Sequence, residues 1–320
     1  MKILITGIHG FVGSNLVKAL SKDNVIYGLD IIDPVKDGVK FTFKWEDLDK
    51  EGVVPEMDAI IHLAGKAHDT KNQAAAEVYF KVNRDLTIKM FDYFCTHPNI
   101  KKFVFFSTAK AAADKVDGIL TEDVIPSPVG PYGESKIAAE EYILNKFQDS
   151  GFKFQDKQFY IFRPCMIHGP GNKGNLNLLY NVVKKGIPWP LGAFENRRTF
   201  TSVENICFAV NGVLTKDVPS GIYNMGDDDA LSTNELIEEI CKSLGKKAHI
   251  WKLPKGLMNG VATLGGWLHL PLNPERLRKL TENYISSNEK IKKALGVEKM
   301  PVDARTGLQA TLESFKSYEW

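Results

Sequence analysis

Lys2-Ile3-Leu4-Ile5-Thr6-Gly7-Ile8-His9-Gly10-Phe11-Val12-Gly13 opens the chain as an apolar run, a glycine-punctuated turn and the start of an amphipathic stretch. Strand, turn and helix in that order decide the fold. The first glycine permits the tight turn, and the middle one lets backbone approach a pyrophosphate. The last lets helix pack closely on strand, with the phosphate at the positive helix terminus. A glycine triplet alone marks many kinds of turn; here its strand and helix context is met. The next apolar run ends in Tyr27-Gly28-Leu29-Asp30, about twenty residues on, where a carboxylate can accept both hydroxyls of an adenosine ribose and repel a 2′-phosphate. Ile31, Ile32 and Asp33 supply no arginine to hold such a phosphate, so NAD is expected rather than NADP.

Outward from this unit, short β-branched runs alternate with helical periodicity, the pattern of a parallel sheet covered by helices. Strands are expected over residues 2–6, 25–30, 59–63, 102–107 and 158–162, with helices over 11–21, 73–96 and 132–148. This predicts an α/β, Rossmann-type doubly wound sheet whose ligand site lies at the carboxyl ends of its strands. After Arg163-Pro164 the texture becomes loops rich in Gly, Pro and Asn with short helices over 176–185, 233–244 and 288–295. The expected organisation is a dinucleotide-binding domain over 1–164, rejoined by the helix and strand of 200–226. A smaller C-terminal α/β substrate lobe would comprise 165–199 and 227–320.

The 320 residues are 43% hydrophobic and 25% charged, and 41 basic residues face 39 acidic ones in an interspersed pattern. That leaves no footprint for nucleic acid. Cys95, Cys165, Cys207 and Cys241 form no CxxC, which fits a reducing cytoplasm better than a disulfide framework or zinc ribbon. The apolar run after Met1-Lys2 is too short for a signal peptide core, so secretion is not expected. The apolar stretch 257–272 is interrupted by Gly260 and Gly265-Gly266 and carries His269; no membrane span is expected there, and a buried or lid-forming helix is preferred to a partner-facing or membrane-surface one. The histidines, His62 and His68 among them, lack helical ligand spacing and a carboxylate cluster, so no metal is expected.

In Pro131-Tyr132-Gly133-Glu134-Ser135-Lys136, the i and i+4 spacing puts a phenol and an ammonium on one helix face. A tyrosine needs its pKa of about 10 lowered by roughly 3 units, about 4 kcal/mol, to take a proton near neutrality, and a neighbouring cation can do that.

Thr6-Gly7-x-x-Gly10-Phe11-x-Gly13, Asp30, His62-Leu63-Ala64-Gly65, Val82-Asn83, Phe106-Ser107-Thr108, Tyr132-x-x-x-Lys136 and Arg163-Pro164 together resemble the extended short-chain dehydrogenase/reductases, the NAD-dependent epimerase/dehydratase family of nucleotide-sugar enzymes. The resemblance spans nearly the whole chain. It implies NAD contacts from Gly7, Gly10, Phe11, Val12, Gly13, Asp30, Leu63, Ala64, Gly65, Tyr132, Lys136, Arg163 and Pro164. It implies Tyr132 as base, Lys136 as its cationic partner, and Thr108 as the hydroxyl that binds the sugar. For the nucleotide sugar it implies Asn175 and Leu176 at the diphosphate and Pro190-Leu191-Gly192 over the uracil. Arg198 would be a phosphate-binding arginine and Arg276 a further diphosphate contact, with Lys110 beside Thr108 in the sugar pocket. A homodimer through the long helices is implied as well.

Family members share oxidation or reduction at the sugar and diverge in the step after it. Ala109-Lys110 stands where the 4,6-dehydratases carry Asp-Glu, and Ala111-Ala112-Ala113 where many epimerases read Val-Tyr-Gly, which argues against a dehydratase and against a standard galactose epimerase pocket. The expected activity is epimerisation of a UDP-hexose or UDP-N-acetyl-hexosamine by transient oxidation at C4. Reduction of a UDP-4-keto-sugar is the alternative, and a non-catalytic NAD sensor a third.

Overall fold

The computed structural model describes residues 1–66, 75–149, 156–172, 174–268 and 272–316. The first unit runs β1 (Lys2–Thr6), α1 (Phe11–Leu20), β2 (Val25–Leu29), β3 (Val39–Phe43) and, beyond a 3-10 turn at Trp45–Asp49, β4 (Ala59–His62). A helical stretch comes next as α2 (Ala76–Tyr79), a wide π turn (Phe80–Asp85) and α3 (Leu86–Thr96), leading to β5 (Lys102–Phe106), α4 (Ala109–Ala112), β6 (Ile119–Leu120), α5 (Pro131–Asp149) and β7 (Gln158–Pro164). The remainder comprises β8 (Met166–His168), α6 (Asn175–Lys184), β9 (Arg198–Ser202), α7 (Val203–Thr215), β10 (Gly221–Met225) and β11 (Ala230–Leu231). The last elements are α8 (Thr233–Ser243), α9 (Lys255–Trp267), α10 (Pro274–Thr281), β12 (Ile285–Ser286), α11 (Glu289–Leu295) and α12 (Ala304–Lys316).

Seven strands form one sheet in the order β10-β7-β5-β4-β1-β2-β3, and every neighbouring pair is parallel. β1 reads as an unbroken apolar run because both of its faces are covered, as parallel sheets require. Ile3 and Ile5 face one core with Leu16, Val17 and Ile206, while Leu4 faces the other with Phe91, Phe103 and Phe105. The strand order reverses between β1 and β4, so the carboxyl ends of these strands flank a crevice. β3 is absent from the sequence expectations; it is an edge strand with Lys40 and Phe41 exposed, and so lacks the apolar run that marks the central strands. The helix expected over 73–96 is described from Ala76 onward, the earlier residues lying outside the described ones.

A further core, with Leu176, Leu191, Leu236, Ile240, Leu308 and Phe315, holds the second part of the chain. Its helices are sharply started: Ser232 accepts from Glu235 N while Glu235 returns a bond to Ser232 N, a reciprocal cap that satisfies two orphan donors at the start of α8. The apolar stretch read as buried or lid-forming is instead an exposed helix. In α9 only Met258, Ala262 and Gly265 face inward, because one neighbouring helix, α10, cannot cover apolar residues spread around the whole circumference. Among the described residues no helix is long and apolar enough to cross a membrane.

Candidate active site

The glycine turn is fixed by contacts on both sides. Gly7 has φ +67°, and a Cβ there would stand 2.9 Å from Ala64 N; a Cβ at Gly13 would stand 2.6 Å from Gly7 O. Both clashes are with backbone, so neither can be relieved by a side-chain shift. Helix α1 begins at Gly10 with no side-chain cap and no acid in its first turn, which leaves its positive end open to an anion. Asp30 faces the turn, accepting from His9 N at 3.1 Å and from Ile31 N at 2.8 Å. Lys36, which no sequence motif singles out, folds onto the same turn. Its Nζ donates to Ile8 O at 3.0 Å and lies 2.7 Å from Ser14 Oγ; burial lowers its pKa against the opposing pull of Asp30. These groups fit the diphosphate and ribose of a dinucleotide, with Phe11 and Val12 in the first helical turn behind them.

A buried histidine locks this turn to the neighbouring strand. Thr87 Oγ1 donates to Asn83 O at 2.7 Å, so at its 3.0 Å contact with His62 Nε2 it must accept. His62 therefore carries its proton on Nε2, and its Nδ1 accepts from Thr6 Oγ1 at 2.7 Å. Thr6 Oγ1 in turn accepts from Leu63 N at 3.2 Å and Ala64 N at 3.0 Å, which fixes the segment from Leu63 to Gly65. Burial pushes His62 down to about 3, and the Lys136 ammonium adds to that effect. The motif His62-Leu63-Ala64-Gly65 thus works through its first residue as much as through its small ones.

Thr108, Tyr132 and Lys136 converge at the end of β5. Thr108 caps α4, accepting from Lys110 N at 3.3 Å, and its side chain hydrogen-bonds the Tyr132 phenol. Tyr132 and Lys136 lie one turn apart on α5, and Lys136 Nζ donates to Phe106 O at 2.8 Å. Asn83, in the π turn, ties the site together: Oδ1 accepts from Lys66 N at 2.7 Å, and Nδ2 donates to Lys66 O at 3.1 Å and to Ser135 Oγ at 3.0 Å. A π turn at such a place is common at functional sites.

Burial dominates the electrostatics of this pair. Burial pushes the Tyr132 phenol above its ordinary value, while the Thr108 hydrogen bond draws it down. The Lys136 ammonium donates to the Phe106 carbonyl. Burial brings Lys136 itself down to about 8, with the Glu140 carboxylate opposing. Glu140 belongs to a fully buried cluster behind the site: Arg163 Nη2 donates to Glu140 Oε2 at 2.6 Å, Arg163 Nε contacts both carboxylate oxygens at 3.1 Å, and Ser107 Oγ donates to Oε1. The Arg163 side chain is thus committed to Glu140 and 1% exposed, which leaves the backbone through Pro164 as what this pair can present to a cofactor.

The residues expected at a nucleotide sugar are spread differently. Lys110 is held by Asp114 O at 2.8 Å and Asp114 Oδ1 at 3.1 Å, with its Nζ 4.7 Å from the Tyr284 ring centroid. Burial works to raise Asp114, and Lys110 and Arg278 outweigh it, holding the carboxyl below its ordinary value. Ala111, Ala112 and Ala113 are buried, the last two packing with Leu120 and Tyr284, so that departure from the epimerase pattern reshapes a core contact rather than an open pocket wall. Arg198 Nη1 donates to Lys279 O at 2.5 Å. The side chains of Leu176 and Leu191 sit in the second core, and Gly192 packs on Trp251 O, 3.0 Å from where a Cβ would be. Arg276 is exposed at the start of α10, its N–H bonded to the Asn273 cap. The Asn175 side chain lies outside the described residues, as does His68.

A family model described as "NAD dependent epimerase/dehydratase family" matches residues 3–226. The UDP-glucose 4-epimerase of Vibrio cholerae is 30% identical over 269 residues, which cover 79% of this chain and 78% of that protein. The N-acetyl-alpha-D-glucosaminyl-diphospho-ditrans,octacis-undecaprenol 4-epimerase of Escherichia coli O157:H7 is 26% identical over 298 residues, 91% of this chain and 84% of that protein. Among solved structures, MoeE5 in complex with UDP-glucuronic acid and NAD shares the fold with a TM-score of 0.76, covering 99% of each chain at 20% identity.

Proposed function

Because this chain belongs to the NAD dependent epimerase/dehydratase family, we propose that it is an NAD-dependent nucleotide-sugar epimerase that works by transient oxidation at the sugar C4. The observation that carries this reading is the meeting of Thr108, Tyr132 and Lys136 at the end of β5, in the same crevice as the glycine turn. A nicotinamide bound there supplies a hydride acceptor that can return what it takes. The chain's own residues handle the proton. Tyr132 receives it from the C4 hydroxyl, and Thr108 holds that hydroxyl and the phenol in line. Lys136, mostly protonated at neutrality with a pKa of about 8, favours the phenolate once a substrate closes the crevice. The epimerase title of the Vibrio relative supports the reaction, and Ala109-Lys110 in place of an acidic pair supports it over dehydration.

The second lobe, 165–199 and 227–320, is where we place the sugar nucleotide, with a UDP-hexose or UDP-N-acetyl-hexosamine as the expected substrate. Residues 200–226 belong with the first sheet in this reading. A cytoplasmic homodimer through α3 and α5 completes it, and light scattering of the purified enzyme tests that state.

The decisive experiment incubates the protein with UDP-hexoses and UDP-4-keto-sugars, follows products by NMR, and identifies the nucleotide released on denaturation. Epimer formation without added cofactor, with NAD released, is the expected result. Stoichiometric consumption of NAD(P)H makes the protein a ketoreductase instead. Tyr132→Phe is expected to lower kcat by about a hundredfold to ten-thousandfold; undiminished turnover would refute the assignment of the base.

A further inference from the structure

Helix α9 (Lys255–Trp267) turns to water a face that carries no charge. Leu257, Val261 and Leu264 recur at helical spacing and are 54%, 45% and 55% exposed, with Trp267 at 78% and Leu268 at 50% beyond them. The exposed residues between them are Asn259, Gly260 and Thr263, with Gly266 half-buried. From Gly256 to Pro274 the sequence contains no Asp, Glu, Lys or Arg. Scattered apolar residues on a surface need no explanation, but a continuous apolar helix face marks an interaction surface.

The charges that precede it in the chain have one sign, and in the adjoining α10 the exposed acid Glu275 is paired with Lys279. Between Ile240 and Pro274 the charged residues are Lys242, Lys246, Lys247, Lys252 and Lys255, with no acid. All five are exposed, and Lys247 and Lys252 make no ion pair among the described residues. Trp251, 54% exposed, stands among these lysines in the segment that pairs with Trp189. An apolar face, a lysine flank and tryptophans at its margins are the composition of a helix that lies in the boundary between lipid headgroups and acyl chains. At about 1.5 Å per residue, α9 is too short to span a hydrocarbon core of about 30 Å, so it would lie in the plane.

We propose that α9 seats this enzyme on an anionic lipid bilayer, with Leu257, Val261, Leu264, Trp267 and Leu268 at the acyl boundary and Lys247, Lys252 and Lys255 on the headgroups. A bilayer suits the face better than a second copy of the chain. A two-fold contact places the same patch on both partners, which would bring two lysine sets toward each other, and Glu275 of the adjoining α10 is already paired with Lys279.

The test uses the full-length, cofactor-loaded protein and flotation with vesicles of phosphatidylcholine alone or with added phosphatidylglycerol. Binding to the phosphatidylglycerol vesicles, with a blue shift of tryptophan emission that Trp267→Phe reduces, is expected. Leu257→Ser combined with Leu264→Ser should lower the bound fraction at least tenfold. Lys247→Gln and Lys252→Gln should each lower it about fivefold at low salt. These side chains are exposed, so released nucleotide and turnover of a water-soluble substrate should be unchanged, which separates this proposal from the assigned activity. Failure to float with anionic vesicles, or equal flotation of the double leucine variant, would overturn it. So would light scattering showing that this variant converts a dimer to monomer, since a second copy would then own the face.

Discussion

At the residue scale, Lys136 carries opposing demands. The site needs its charge, yet burial has lowered its pKa to about 8 from an ordinary 10.5, so at neutral pH the fold bears the cost of a desolvated ammonium. Lys136→Met should therefore raise unfolding free energy at pH 7 by about 1–3 kcal/mol while abolishing turnover. Urea denaturation of the two proteins checks this, and a loss of stability would show that the bond to Phe106 O outweighs desolvation. Thr108, Tyr132 and Lys136 are legible in the sequence because their spacing and order carry the chemistry. Glu140 and Lys36 are not, because their roles lie in partners brought close only by folding: Arg163, Ser107, Ser14 and Ile8. The direction of the Arg163 side chain is hidden for the same reason. Its position in a motif says nothing of which way the guanidinium turns.

At the scale of elements, the strand-turn-helix unit is legible because each of its features is local. β1 shows as an apolar run, and the turn shows as glycines that the backbone requires. Gly13→Ala tests the unit directly, since the added methyl would stand 2.6 Å from Gly7 O and 2.8 Å from Ile8 O. Helix α1 must then lift away from the turn, at a cost of about 1–3 kcal/mol. The variant should melt lower and release far less nucleotide on denaturation than the parent. A full complement of bound nucleotide would mean that α1 is not the anion-binding terminus. β3 and α9 are harder to read for opposite reasons. β3 is an edge with little apolar patterning, while α9 has apolar residues in excess of what the molecule buries, and periodicity alone does not say which face finds a neighbour.

For the whole molecule, one buried ring shapes the acid limit of stability. His62 holds a folded pKa of about 3 against an ordinary 6.5. Its folded value is the lower one, so the unfolded chain takes up the proton first as pH falls. Stability should accordingly decline from pH 6.5 to 3, by up to about 1.4 kcal/mol per unit over that window. His62→Gln, which cannot titrate, should flatten that limb in thermal melts taken across the window, even if it lowers stability at pH 7. An unchanged slope would assign acid sensitivity to other groups. The sheet, too, has a consequence that belongs to its assembly. Its end strand, β10, begins at Gly221, whereas its partner β7 finishes at Pro164, and β8, α6, β9 and α7 lie between them in the chain. On the ribosome, at roughly 5–20 residues per second, the outer edge of β7 waits for several seconds with its N–H and C=O groups unsealed. Nascent chains are therefore most open to mispairing in that interval, and whatever shields the β7 edge then governs the yield of native protein.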